Sequence, residues 1–319
     1  MVELLKVEGL TKIFEKKSVF SSEKTIVKAA DDITFSLNSG EILAIAGESG
    51  SGKSTLAKLI LRAIDPDSGK IFFENEEISN KSTLKNLRMK CQMVYQDPYE
   101  SINPRMKIEQ IISEPLEIHG IPADKRKNMV LDALRQVKLE PVDDIAQKNP
   151  HMLSGGQRQR VVLARALVLK PNVIIADEPV SMLDVSIRAE ILELMKEIQE
   201  KNNISIIYIT HDLATAKHFA DRIMILYLGK IMEIGTINQV ILEPKHPYTQ
   251  ALIDAISEPD PENIYKEKKI RINDPINVDV YSGCRFYSRC PYADEKCKQM
   301  PTLDHINDER RVACFFPLD

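Results

Sequence analysis

This 319-residue chain has no tryptophan, only 6% aromatic residues, and a single cysteine, Cys91, before position 284. It has no surplus of basic charge either: 43 Lys and Arg against 47 Asp and Glu give a net charge of −4. A protein held to nucleic acid by phosphate contacts carries a basic surplus, so no nucleic-acid partner is expected. No apolar stretch approaches the roughly 20 residues that cross a bilayer. The longest candidates, VVLARALVL and IMILYLG, are short and interrupted or flanked by charge. The opening MVELLKVEGLTKIF lacks the charged-then-apolar layout of a secretion signal. These absences predict a soluble intracellular protein, in a compartment where structural disulfides are rare. Internal repeats and low-complexity tracts are missing too, and 43% apolar with 28% charged residues excludes disordered and fibrous classes.

What is present alternates. Residues 42–46 form a bare apolar run, a Gly-rich turn follows, and Leu56, Leu59, Ile60 and Ala63 then recur at helical spacing. NVIIADEP and ISIIYITHDL predict two further short strands, with Ile187, Ile191, Leu194, Met195 and Ile198 marking an amphipathic helix between them. Strands alternating with helices predict an α/β fold with a parallel sheet and ligands at the carboxyl ends of its strands. ITFSLNSGEI and GKIFFENEEI predict a flanking antiparallel β layer. IEQIISEPLEIHG and KRKNMVLDALRQVKL carry helical patterns with no strand between them, so a helical subdomain is expected over about residues 98–170. The Pro-rich, charged SEPDPENIYKEKKIRINDP reads as a linker, dividing a large domain, 1–256, from a small cysteine-rich extension, 257–319.

Gly47, Glu48, Ser49, Gly50, Ser51, Gly52, Lys53 and Ser54, with Thr55 following, fit the phosphate-binding pattern G-x-x-x-x-G-K-[ST] between a strand and a helix. Glycines let backbone N–H groups turn inward around phosphates, and a helix N-terminus adds positive potential. Lys53 would reach the β- and γ-phosphates, and the Ser54 hydroxyl would bind Mg²⁺. Asp177 ends an apolar strand, where P-loop ATPases hold Mg²⁺, and Glu178 next to it can polarise the attacking water. In LSGGQRQR, Ser154, Gly155, Gly156 and Gln157 open a second helix whose free N–H groups make another anion site. A serine capping a buried helix explains Ser154 but not the Gly-Gly-Gln after it. A second phosphate reader makes sense if it serves the ATP of a partner subunit.

The ordered set GESGSGKST, Gln96 in VYQDP, LSGGQ, VIIADEP, SMLD and ITHD resembles the ATP-binding-cassette ATPases over residues 1–255. The resemblance implies a P-loop core and a head-to-tail dimer, with two ATP molecules held between one subunit's P-loop and the other's LSGGQ. It implies that Phe14 stacks on adenine and that Gln96 touches Mg²⁺ and reports to a membrane partner. Glu178 becomes the general base, Asp184 a cross-dimer contact and His211 the γ-phosphate switch. The sequence departs from the family pattern at Met182, where a small residue is usual, and in the insertion around Phe20.

One cassette in the chain, and Lys53 and Ser154 only 101 residues apart, suit a transporter subunit better than a two-cassette translation factor or a repair protein with long inserts. QDPYESINPRM, DEPVSMLDVSIRAEIL and HPYTQALIDAI resemble the ATPases of dipeptide and oligopeptide importers, in particular their second ATPase subunit. The resemblance implies a sister or identical ATPase, two membrane permeases, an extracytoplasmic solute-binding protein and a peripheral place on the cytoplasmic membrane face. Relatives in this group also import sugars and metal chelates, and a soluble, non-transport cassette is the rival class. In the tail, Cys284, Cys290, Cys297 and Cys314 are separated by 5, 6 and 16 residues. Structural zinc sites show gaps of about 2–4 within a ligand pair, whereas a loop wrapping a [4Fe–4S] cluster tolerates wider ones. Some importer ATPases of this kind carry such a cluster at this tail. Zinc, two disulfides and free thiols remain alternative readings, and Cys91 reads as a buried core thiol.

Overall fold

The computed structural model describes residues 2–17, 24–255 and 281–319. The segment read as a linker, the boundary at residue 256 and Phe20 lie outside the described residues. In chain order the elements begin with β1 (Glu3–Lys17), β2 (Lys24–Asn38), β3 (Ile42–Ala46), α1 (Lys53–Ile60), β4 (Ser68–Phe73) and β5 (Glu76–Glu77). Next come α2 (Lys81–Lys90), β6 (Cys91–Val94), α3 (Pro98–Ser101), α4 (Ile108–Ile118), α5 (Ala123–Gln136), α6 (Val142–Gln147) and α7 (Gly155–Leu167). Then follow β7 (Val173–Asp177), α8 (Val185–Asn202), β8 (Ser205–Thr210), α9 (Leu213–Phe219), β9 (Arg222–Tyr227) and β10 (Lys230–Thr236). The chain closes with α10 (Ile237–Leu242), α11 (Pro247–Asp254), β11 (Asp304–Asn307) and β12 (Arg310–Val312).

Two compact units share these elements. The first comprises Met1–Leu5, Leu37–Glu41 and Phe72–Tyr208. Its core strands β6 and β7 run parallel in the register Cys91↔Val173 to Val94↔Ala176. Every residue of β7 is buried, as its unbroken apolar run requires of a central parallel strand. Cys91 is 1% exposed within β6, the buried thiol expected, and burial pushes it up to about 12. From α3 to α7 the chain is helical with no strand, matching the two helical patterns read in the sequence. Helix α8 buries Ile191, Leu194, Met195 and Ile198, while Ile187 at its first turns is only half-buried.

The second unit comprises Lys6–Ser36, Ile42–Ile71 and Ile209–Asp319. Its strands lie in the order β11-β12-β10-β9-β3. Strands β3 and β9 are parallel, and β9–β10, β10–β12 and β12–β11 are antiparallel. The C-terminal residues thus add two strands to the sheet that carries the P-loop. Strands β2, β1 and β4 lie side by side in a separate layer. Among the described residues, no helix is long and apolar enough to cross a membrane.

Candidate functional site

The loop Gly47–Gly52 leaves the carboxyl end of β3, fully buried, and enters α1. Two of its glycines are required sterically. Gly47 has φ 154° and a Cβ there would stand 2.1 Å from the Leu226 carbonyl oxygen; Gly52 has φ 105° and would meet the Ala29 carbonyl oxygen at 2.1 Å. Gly52 is the N-cap of α1 and brings no capping side chain of its own. Lys53 is buried, and its Nζ donates to the carbonyl oxygens of Gly47 and Glu48 at 2.8 and 3.0 Å. Ser54 is exposed, Thr55 half-buried and Ser51 buried, while Ser49 and Gly50 form the open tip. A curled glycine loop with an ammonium at its centre, opening a helix N-terminus, is suited to polyphosphate.

In the first unit, register does the positioning. Because Val94 pairs with Ala176 at the strand ends, Gln96 and Glu178, each two residues further along the chain, emerge side by side. The Gln96 side-chain amide donates to Glu178 Oε2 at 3.1 Å. Glu178 is half-buried with φ 46°, a left-handed conformation uncommon for a side-chain-bearing residue, and Asp177 before it is 7% exposed. Ser154 caps α7: its hydroxyl accepts from the Gln157 N–H at 3.3 Å, and Gln157 Oε1 accepts from the Ser154 N–H at 3.0 Å. This reciprocal capping box accounts for Gln157 as well as Ser154, which the sequence reading of a simple serine cap had not allowed. Gly155 lies beside Leu183, and a Cβ on Gly156 would approach Ile187 Cγ2 to 2.8 Å, so the pair keeps α7 close to α8. Asp184 is exposed at the start of α8 and makes no capping hydrogen bond, with Met182 58% exposed two residues before it.

Two further candidates belong to the second unit. His211 is exposed at the end of β8, just before Asp212, whose carboxylate caps α9. Phe14 is 42% exposed on β1 with the Lys12 ammonium 5.6 Å from its ring centre, an open face fit for stacking.

Cys284, Cys290, Cys297 and Cys314 line one pocket together with His246, Pro247, Phe286, Tyr287, Tyr292, Pro301, Phe315 and Phe316. All four thiols are free, so the disulfide reading is not borne out. Among the described residues no group of three or more His, Cys, Asp or Glu is arranged to hold a metal ion, so a preassembled site is absent there for zinc and for an iron–sulfur cluster alike. Burial, and to a lesser extent the other sulfurs, pushes Cys284 up to about 12 and Cys290 up to about 11, and Cys314 also upward. His246 is buried, its Nδ1 accepting from the Tyr248 N–H at 2.9 Å, and burial lowers it to about 3.

Sequence reasoning missed the charged residues that bind this tail to its unit. Arg285, wholly buried, pairs with Asp31 on β2 and lies over the Tyr281 ring at 4.6 Å. Arg310 pairs with Glu233 of β10, at 0% exposure. Arg289 reaches Glu48 of the P-loop. Pairs so distant in sequence leave no periodic signal.

The sequence matches the ABC transporter family over residues 30–181 and the C-terminal region of oligopeptide and dipeptide transporters over residues 232–297. It is 44% identical over 316 residues to a probable peptide ABC transporter ATP-binding protein of Sinorhizobium fredii, covering 98% of this chain and 89% of that one. It is 41% identical to a dipeptide transport ATP-binding protein of Haemophilus influenzae, covering 98% of this chain and 96% of that one. A solved dimeric ATP-binding cassette in a post-hydrolysis state, bound to ADP and phosphate, superposes with a TM-score of 0.63 at 28% identity. That match covers 73% of this chain and 99% of the other. Fold and loop together define an ATPase of the cassette type. The chain belongs to the ABC transporter family, among the ATP-hydrolysing subunits of its peptide importers.

Proposed function

We propose that the chain energises uptake of dipeptides or oligopeptides as one half of a head-to-tail cassette dimer with a sister or identical subunit. It docks on two membrane permeases at the cytoplasmic membrane face, and an extracytoplasmic binding protein delivers the cargo. The division into a nucleotide-binding domain, 1–256, with its helical part at about 98–170, and an extension, 257–319, belongs to the same reading. In it Gly47–Thr55 cradle the phosphates, Lys53 neutralises the β- and γ-phosphates, and Ser54, Gln96 and Asp177 serve Mg²⁺. Phe14 stacks on adenine, Glu178 is the general base and His211 senses the γ-phosphate. Ser154, Gly155, Gly156, Gln157 and Asp184 face the partner's ATP.

The observation that carries the reading is Lys53 held on the Gly47 and Glu48 carbonyls, at the start of the helix that the glycine loop enters. The peptide cargo is supported by the names of the relatives and by the match over residues 232–297. Affinity purification of the tagged chain from its native cells tests the assembly: membrane permeases should co-purify. Recovery with ribosomes or DNA and never with membranes overturns it.

The four tail cysteines hold a [4Fe–4S] cluster in this reading, with Zn²⁺ as the alternative ion. Four thiols and no carboxylate line the pocket, a donor set that fits a thiophilic centre. Burial favours the protonated forms of Cys284 and Cys290, so a metal that takes them as ligands releases protons. Bound there, the cluster would supply a covalent tie between turns that have little core of their own. Anaerobic purification should give a brown protein with about four iron and four sulfide per chain. A colourless preparation with stoichiometric zinc and no sulfide overturns this.

A further inference from the structure

Glu48, the second residue of the P-loop, is held on three sides. Its N–H donates to the Tyr248 hydroxyl at 2.9 Å, and its carbonyl accepts from Lys53 Nζ at 3.0 Å. Its carboxylate takes two parallel hydrogen bonds from Arg289, Nη1 to Oε2 at 2.9 Å and Nη2 to Oε1 at 3.0 Å. Arg289 is steadied in turn: Nη1 donates to the Tyr227 hydroxyl at 3.0 Å, and the guanidinium lies 5.6 Å from the Phe286 ring centre. Arg289 ends the short 3-10 turn Tyr287–Arg289, directly before Cys290, whose N–H donates to the Phe286 carbonyl at 3.0 Å. The turn is therefore fixed to the cysteine pocket on one side and to the nucleotide loop on the other.

The geometry points to Arg289 as a positioning residue for ATP, a latch by which the C-terminal tail presets the entrance of the P-loop through Glu48. A loop with three glycines in six residues from Gly47 has many conformations to lose when it closes on phosphate. Anchoring its first side chain removes part of that cost before nucleotide arrives, and pre-organisation of this kind appears as affinity. The bidentate fork matters here: two parallel charge-assisted bonds fix orientation, which a single ammonium contact does not. The side chains of Arg289 and Glu48 are 24% and 40% exposed, so the pair is partly screened and its contribution is moderate.

The test is calorimetric titration of the full-length chain with ADP and Mg²⁺, which binds without turnover. Arg289→Gln should weaken binding by about tenfold, the scale of one or two charge-assisted hydrogen bonds. In steady state the same variant should raise KM for ATP while kcat at saturating ATP stays near wild type. Arg289→Lys should recover only part of the affinity. Glu48→Gln discriminates latch from simple charge: a latch predicts weaker binding, whereas removing a negative charge beside an anion site predicts tighter binding. The double variant should lose no more than either single one. Unchanged ADP affinity in Arg289→Gln, or tighter binding in Glu48→Gln, overturns the proposal. If Arg289→Gln fails to fold by circular dichroism, the Glu48→Gln titration decides alone, since that side chain lies outside the tail's buried core.

Discussion

Gln96 and Glu178, 82 residues apart in the chain, meet through a hydrogen bond of 3.1 Å between the Gln96 amide and Glu178 Oε2. The contact follows from the parallel register of β6 and β7 and needs no other element to bring it about. In the proposed reading, a residue that serves Mg²⁺ thereby touches the residue that activates water.

Replacing that carboxylate by its near-isostere isolates its proton chemistry. Glu178→Gln keeps the size of the side chain but removes the base, so turnover should fall by about 10²–10⁴-fold with ATP binding retained. Phosphate release in single turnover, beside calorimetric ATP binding, checks this; hydrolysis at the wild-type rate removes Glu178 from the role.

Lys53→Ala removes the ammonium from the centre of the loop, together with its two hydrogen bonds to Gly47 and Glu48. Affinity for ADP with Mg²⁺ should drop by about ten- to a hundredfold. The same titration used for wild type reads it, and binding within about twofold of wild type, small beside the tenfold that 1.4 kcal/mol represents, contradicts the assignment.

Glu233 is wholly buried, and its carboxylate accepts from Arg310 Nε at 2.9 Å and from the backbone N–H groups of Lys245 and His246, each at 3.0 Å. Arg310→Met leaves this charge without its cation, which should cost about 3–5 kcal/mol of stability. Urea unfolding measures it. Adding Glu233→Gln should restore part of the loss, because the uncompensated charge then goes too.

Cys91 gives a pH prediction. Its thiol ordinarily titrates near 9.0 and in the fold is pushed up to about 12 by burial. The folded state thus favours the neutral form, and this contribution is complete below about pH 9 and is lost as pH rises toward about 12. Urea midpoints across that window should fall more steeply for wild type than for Cys91→Val; parallel curves would contradict the assignment.

The strands β3, β7 and β8 were legible because buried parallel strands read as unbroken apolar runs, and the P-loop because its glycines are sterically obligatory. Helix α11 opens inside the stretch HPYTQALIDAI: Pro247 stands at its first position, where a missing N–H costs nothing, with His246 as cap. The capping box on Gln157 was hidden because the same residue serves the family signature. The pairs Arg285–Asp31, Arg289–Glu48 and Arg310–Glu233 were not legible at all. Surface charges and partners of buried charges look alike in one dimension; only the fold tells which arginine has a carboxylate 241 positions away.

The antiparallel pairing of β10 with β12 has a bearing on how the protein survives in a crowded cell. Strand β10, IMEIG at its buried centre, is covered on its outer edge by Glu233↔Val312 and Ile234↔Arg311. A chain cut before Tyr281 would bare that edge, a largely apolar strand with open backbone donors and acceptors of the kind that recruits strands from other molecules. On this pairing the last residues are expected to act as a bumper as well as a tail, keeping neighbouring copies from zipping together. Light scattering of a truncated chain beside the intact one should show it: the shortened protein clouds, the whole one stays clear.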